Sequence, residues 1–194
     1  MKEKAAFLDA LDSILYQAVF EKDENKKRGS LEVIKEISKG EGAIPSSIQR
    51  LFEEMGKSYP GFTVPAINIR RLAYDVARSV FRKALELDVG AFVFEIARSE
   101  IGYTDQRPLE YAAVVMAAAL KEGWRGPIFI QGDHFQFSRK NYEKNPEQET
   151  NNIKTLVKEA IGAEFYNIDI DAPRLSRKSR IRVNTGRQAP SGKG

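Results

Sequence analysis

The single histidine among the 194 residues, His134, follows Asp133 at the end of the apolar stretch 127–135. A neutral imidazole is a good zinc ligand, and a neighbouring carboxylate can exchange protons with a substrate held on the metal. Because the sequence has no cysteine, Asp and Glu are the other strong metal ligands that it can supply. The pair therefore predicts a metal or proton-transfer site. The alternative is a structural histidine that only hydrogen-bonds to nearby backbone. Gly132, which precedes the pair, would allow close approach of the backbone and so favours the functional interpretation.

Three more polar clusters follow apolar runs in the same way. They are Asn68, Arg70 and Arg71; Glu95, Arg98, Ser99 and Glu100; and Asn167, Asp169 and Asp171. Loops at the carboxyl ends of the strands form the functional face of parallel β/α folds. We therefore expect these clusters to converge with Asp133 and His134. Polar strand ends occur in every α/β protein, so convergence alone does not define the chemistry.

Short apolar runs alternate with helical patterns from residue 62 onwards, which is typical of parallel β/α units. The predicted strands cover residues 63–69, 91–97, 127–131 and 165–170. The polar stretches 98–107 and 138–147 are predicted to be loops. Their continuous apolar character indicates strands that are covered on both faces, as in a doubly wound sheet or a (β/α)8 barrel. A complete barrel takes about 250 residues, so the region 62–172 amounts to almost half of one. We predict an α/β fold, a partial TIM barrel of about four β/α units.

Residues 1–61 are predicted to form a helical segment that covers the amino-terminal end of the barrel. The apolar spacing over residues 5–20 predicts an amphipathic helix. Ser30 is the predicted N-cap of a second helix, and Pro45 the first residue of a third.

Charge divides the chain at residue 173. Of the 31 Lys and Arg residues, seven lie in residues 173–194, which hold no Asp or Glu; the other 24 face 27 acidic residues, so residues 1–172 carry a net charge of −3. The basic terminal segment has too little apolar content to pack and is predicted to be disordered. No run approaches the ~18 apolar residues of a membrane span, and the first residues do not resemble a signal peptide, so we expect a cytoplasmic protein with no membrane partner.

Three passages carry a family resemblance: Thr-Val-Pro-Ala-Ile-Asn-Ile at 63–69, Gly-Asp-His at 132–134, and Ala-Ile-Gly-Ala-Glu-Phe-Tyr-Asn-Ile-Asp-Ile-Asp at 160–171. In order and spacing they resemble the first half of a class II, metal-dependent fructose-bisphosphate or tagatose-bisphosphate aldolase. The Asp-His pair after an apolar strand is the most specific of these features.

The resemblance implies a lyase of carbohydrate metabolism, as in glycolysis, that cleaves a ketose bisphosphate to dihydroxyacetone phosphate and an aldehyde. A divalent cation, Zn²⁺ by resemblance, acts as Lewis acid in that chemistry. His134 matches a metal ligand, and Asp133 matches the carboxylate that exchanges a proton with the hydroxyl on the cleaved bond. Asn68 and Ser99 match substrate-binding positions. Asp169 and Asp171 are open between orienting ligands, holding a cation and a structural role.

The family completes its metal site with further histidines and binds the substrate phosphates with residues of later strands. Neither further histidines nor further strand patterns follow Asp171 in this sequence. We expect a truncated or altered-frame aldolase whose activity is impaired. A natural half-barrel that needs a partner and a domain that has lost catalysis are the alternatives. Because half of a parallel barrel exposes two sheet edges and an apolar face, we also expect a homo-oligomer.

Two other functions remain open at this point. One is a non-catalytic aldolase-like subunit that stabilises an aldolase partner. The other is a nucleic-acid-binding protein that uses the basic tail. The tail lacks interleaved aromatic residues, which argues against a base-stacking platform but not against phosphate binding.

Overall fold

The computed structural model describes residues 2–58 and 61–172 of the chain. In chain order its helices are α1 (Lys2–Phe20), α2 (Glu24–Gly40), α3 (Gln49–Met55), α4 (Ala73–Glu86), α5 (Arg98–Thr104), α6 (Pro108–Glu122), α7 (Arg139–Lys144) and α8 (Pro146–Gly162). Its strands are β1 (Ala43–Pro45), β2 (Ala66–Asn68), β3 (Val93–Ala97), β4 (Gly126–Asp133) and β5 (Asn167–Ile168). The predicted basic tail lies outside the described residues.

The strands form one parallel sheet. Strand β3 lies between β2 and β4, and β5 pairs with the carboxyl-terminal half of β4. Each of these strands overlaps one that the sequence predicts, and they follow one another across the sheet in chain order. The prediction of a parallel α/β fold is therefore confirmed.

Helix α6 is the centre of the core. Its side chains from Tyr111 to Leu120 are buried on every side, because α4, α8, α1 and α2 all pack against it. Alternate sheet residues such as Phe94 and Ile130 join the same core. One face of the sheet is thus covered by two layers of helix, which explains the apolar character of α6 all round. No helix among the described residues is long and apolar enough to span a membrane.

The amino-terminal segment differs from the sequence prediction in two places. Ser30 lies inside α2, whose N-cap is Asp23: its carboxylate accepts hydrogen bonds from the N–H groups of Asn25 and Lys26, both at 3.0 Å. Pro45 ends strand β1 and does not begin a helix. Strand β1 pairs with the first three residues of β4, so the segment adds a strand to its helices.

The stretches 98–107 and 138–147, predicted as loops, each contain a short helix. They are α5 and α7, and Ser99 therefore lies in a helical turn. In α5 the local reason is Glu100, which accepts a hydrogen bond from the Ala97 N–H at 2.8 Å and so satisfies a donor at the start of the helix. In α7, the Ser138 hydroxyl accepts a hydrogen bond from the Asn141 N–H.

Candidate functional site

A row of four polar side chains crosses the sheet on the face away from α6. Asn68, Glu95, Gln131 and Asn167 are successive register partners on β2, β3, β4 and β5. All four are half-buried. Since side chains alternate along a strand, their apolar neighbours enter the helical core while this row faces the opposite way.

The rows on either side of the polar row differ in character. Towards the amino ends of the strands, Val93 and Phe129 are buried together with Ile48, which precedes α3. Towards the carboxyl ends, Asp133 is the register partner of Ala97. The open face therefore changes from apolar to polar to acidic in the direction of the strands, so the acidic side chain lies at their carboxyl ends.

Three metal-binding types of side chain meet at this end of the sheet. Asp133, His134 and Asp169 each offer one ligand atom, and these atoms lie within 4.8 Å of one another. One imidazole nitrogen and two carboxylate oxygens suit zinc and other divalent transition metals. The donor set therefore fits a divalent cation.

A bulge in β4 directs the His134 side chain. The Asp169 N–H donates to the Gly132 carbonyl at 2.8 Å, and the Asp169 carbonyl accepts from the Phe135 N–H at 2.9 Å. In a regular parallel ladder the Asp169 carbonyl would accept from the N–H of residue 134. It accepts from residue 135 instead, so His134 is an extra residue that bulges out directly after Asp133. It has a left-handed φ of 46°. Bulges of this kind re-aim side chains beside active sites, and histidine is among the residues enriched at positive φ.

Asp171 orients the imidazole. Its Oδ2 lies 2.8 Å from His134 Nδ1, whereas Nε2 lies 3.7 Å from Asp133 Oδ2. The hydrogen bond to Asp171 raises the pKa of His134, with Asp133 adding to the effect. It also favours the tautomer that carries its hydrogen on Nδ1. The lone pair of Nε2 is then free to bind a metal ion. A carboxylate in this place typically fixes the orientation of a metal-binding histidine.

Gly132 is required by packing. A Cβ on this residue would lie 2.6 Å from the fully buried ring of Phe135. The ring thus lies across the strand directly before the bulge. This contact holds the backbone on both sides of His134.

A buried ion pair anchors the loop that follows His134. The Arg98 guanidinium binds Glu149 at 2.5 Å and donates to the Gln136 carbonyl at 2.8 Å. The same Glu149 accepts from the Ser138 N–H at 2.6 Å. The hydrogen bond from Arg98 lowers the pKa of Glu149 despite its burial. The loop is therefore tied to both α5 and α8.

Glu95 is a further functional candidate. From the sequence it stood out only as one member of a polar cluster at a strand end. Among the described residues its carboxylate has no hydrogen bond or ion pair. Burial raises the pKa of Glu95, and the charge of Asp133 raises it further. A lone acid between Phe94 and Ile96, in an otherwise apolar strand, was the available sequence signal.

The two predicted substrate-binding residues are placed differently. Asn68 lies in the polar row; its amide bonds to Glu100, and its buried Oδ1 has no partner within the described residues. Ser99 is exposed in the first turn of α5, two positions beyond Ala97. Asn68 thus has a buried acceptor without a partner in the polar row, whereas Ser99 is not part of the row.

Comparisons with protein-family models, with curated proteins and with solved structures each find no match. The geometry of the site and the sequence resemblance are therefore what support a function.

Proposed function

We propose that this protein is a class II, metal-dependent aldolase that cleaves fructose- or tagatose-1,6-bisphosphate to dihydroxyacetone phosphate and an aldehyde. The observation that carries the proposal is the convergence of Asp133, His134 and Asp169 at the carboxyl end of the sheet, above a half-buried polar row. The resemblance supplies the reaction class. The proposal includes a cytoplasmic location and a homo-oligomeric state.

The proposed architecture is four consecutive units of a (β/α)8 barrel. Two features support it: β2, β3, β4 and β5 are parallel neighbours in chain order, and the long helices between them all cover one face. The other face carries layered side chains, as the interior of a barrel does.

His134 would hold the cation through Nε2, which lies 3.7 Å from Asp133 Oδ2. Asp169 belongs to the same group of ligand residues, and its Oδ2 lies on the other side of the ring, 3.8 Å from Nδ1. The bound cation would supply Lewis-acid stabilisation of the ketone and enolate oxygens. Zn²⁺ is the favoured metal by resemblance, and the donor set also accepts other divalent ions. Asp171 keeps the imidazole in the binding tautomer.

Asp133 is the proposed proton-transfer residue. It is half-buried and lies beside the polar row, where a substrate hydroxyl could reach its free oxygen. Burial and the charge of the neighbouring Asp133 both raise the pKa of Glu95. Asn68, in the polar row, and Ser99 remain proposed substrate contacts by resemblance.

Metal binding by the full chain is the first test. We expect isothermal titration with Zn²⁺ to show one site, whose affinity falls at least tenfold in His134→Ala. The matched control is Glu147→Gln, an exposed acid on α8. Equal affinity in all three proteins would assign His134 a structural role.

Cleavage is tested separately with both bisphosphates in a coupled assay for dihydroxyacetone phosphate. Asp133→Asn should abolish turnover while Zn²⁺ binding remains measurable. A protein that binds Zn²⁺ but cleaves neither substrate would contradict the catalytic proposal and favour the non-catalytic aldolase-like subunit.

A further inference from the structure

The sheet has two open edges within the described residues. Strand β2, on one side, pairs only with β3. On the other side β5 and β1 both pair only with β4, β5 with its carboxyl-terminal half and β1 with its first three residues. An open edge presents unpaired N–H and C=O groups that can bind another strand. Because all the strands are parallel, the outer edge of β5 is a suitable partner for the outer edge of β2.

An apolar groove follows the β2 edge. It has a volume of about 380 Å³ and is lined by Pro65, Ile67, Val80 and Phe92. Leu87, at one end of the groove, is 62% exposed. In a continuous sheet this groove would be covered by the helix that accompanies the next strand.

Exposed apolar side chains also surround the β5 edge. Ile161 in α8 is 61% exposed, and Tyr166 and Ile170 flank β5 with about half of their surfaces exposed. Glu159 lies on the side of α8 that faces the start of α6, because it pairs with Arg107 there. Ile161 lies two residues on, and the helical repeat of about 100° per residue turns it to the opposite flank of α8.

The charges beside the two edges are opposite. Arg70 and Arg71 follow β2, and Arg71 is exposed and has no ion-pair partner among the described residues. Asp169 and Asp171 follow β5. Since the strands are parallel, both sets lie at the carboxyl end of the sheet and would meet if the edges were joined.

We infer that two copies of this chain pair edge to edge, with β2 of each copy beside β5 of the other. Two such contacts related by a twofold axis cover the outer edges of β2 and β5 in both copies and close four strands from each copy into one parallel ring. Ile161 of the second copy enters the groove beside Leu87, and Arg71 of the second copy lies at the acidic end of β5. This inference specifies the homo-oligomeric state that the proposed function includes, and it does not depend on the proposed aldol chemistry.

Sedimentation of the full chain tests the pairing. We expect a species of twice the 21.9 kDa chain mass at micromolar concentration. Leu87→Asp and Ile161→Lys should each weaken the pair at least tenfold, because each damages both contacts of a homodimer. The control is Val33→Asp on α2, where the side chain is 56% exposed and does not line the groove.

Mixing the two edge variants distinguishes this arrangement from other dimers. In a mixed pair, one contact keeps two unaltered edges and the other joins Asp to Lys, so dimers should reappear. A monomeric wild-type chain, an open-ended polymer, or a mixture that stays monomeric would overturn the inference. Circular dichroism confirms the fold of each variant, and Zn²⁺ binding by the monomeric variants tests the proposed function independently.

Discussion

His134 Nδ1 lies 2.8 Å from Asp171 Oδ2, although the two residues are 37 positions apart. This contact joins the segment after β4 to the segment after β5. It leaves Nε2 as the imidazole atom nearest Asp133. The orientation of the only histidine is therefore set by a residue of the neighbouring strand.

Asp171→Asn should lower the affinity for Zn²⁺ by roughly 10- to 100-fold, which is the usual effect of losing a carboxylate that orients a metal-binding histidine. Isothermal titration of the full chain measures it. Asp75→Asn, an exposed change in the first turn of α4, is the control. Unchanged affinity in Asp171→Asn would show that the imidazole does not need this partner.

Gly132→Ala should destabilise the fold by about 1–3 kcal/mol, because the new methyl group would overlap the buried Phe135 ring. Urea denaturation gives the difference in free energy of unfolding. Gly162→Ala is the matched control: it lies in α8 and its Cβ would meet nothing within 4 Å. That change should be neutral, or stabilising by up to about 1 kcal/mol.

Glu149→Gln should destabilise the protein at pH 7 by about 1–3 kcal/mol, since it removes a charge-assisted hydrogen bond from a buried pair. The folded-state pKa of Glu149 lies below its ordinary value of 4.5, owing first to the hydrogen bond from Arg98. Its stabilising effect is thus complete above that value and is lost as the pH falls through the lower folded-state pKa. Urea denaturation between pH 3 and pH 7 should show a weaker loss of stability at acid pH in the variant than in the wild type.

Glu95→Gln should raise the free energy of unfolding at pH 7 by about 0.5–1 kcal/mol, because a neutral amide costs less to bury than a carboxylate near Asp133. Denaturation of metal-free protein measures the change. Glu53→Gln, on the exposed surface of α3, should leave stability within about 0.5 kcal/mol of the wild type. A destabilised Glu95→Gln would indicate that the carboxylate has a stabilising partner.

The strand positions could be predicted because each strand is an apolar run ended by polar residues, a local property of the sequence. The helical turn of α5 was missed for a different reason. Its start depends on the Glu100 carboxylate, which accepts from the Ala97 N–H and also pairs with Arg70 from the end of β2. A contact between residues 30 positions apart leaves no periodic signal.

The sequence by itself determined the parallel β/α order, the absence of thiolate ligands and the location of Asp133 and His134 at a strand end. Only the tertiary structure decided that Asp169 and Asp171 reach that pair, that Asn68, Glu95, Gln131 and Asn167 form one row, and that residues 43–45 join the sheet. The physical reason is register. Hydrophobic periodicity determines which face of a strand is buried, whereas the residues that lie side by side depend on long-range hydrogen bonding between strands and on the bulge at His134.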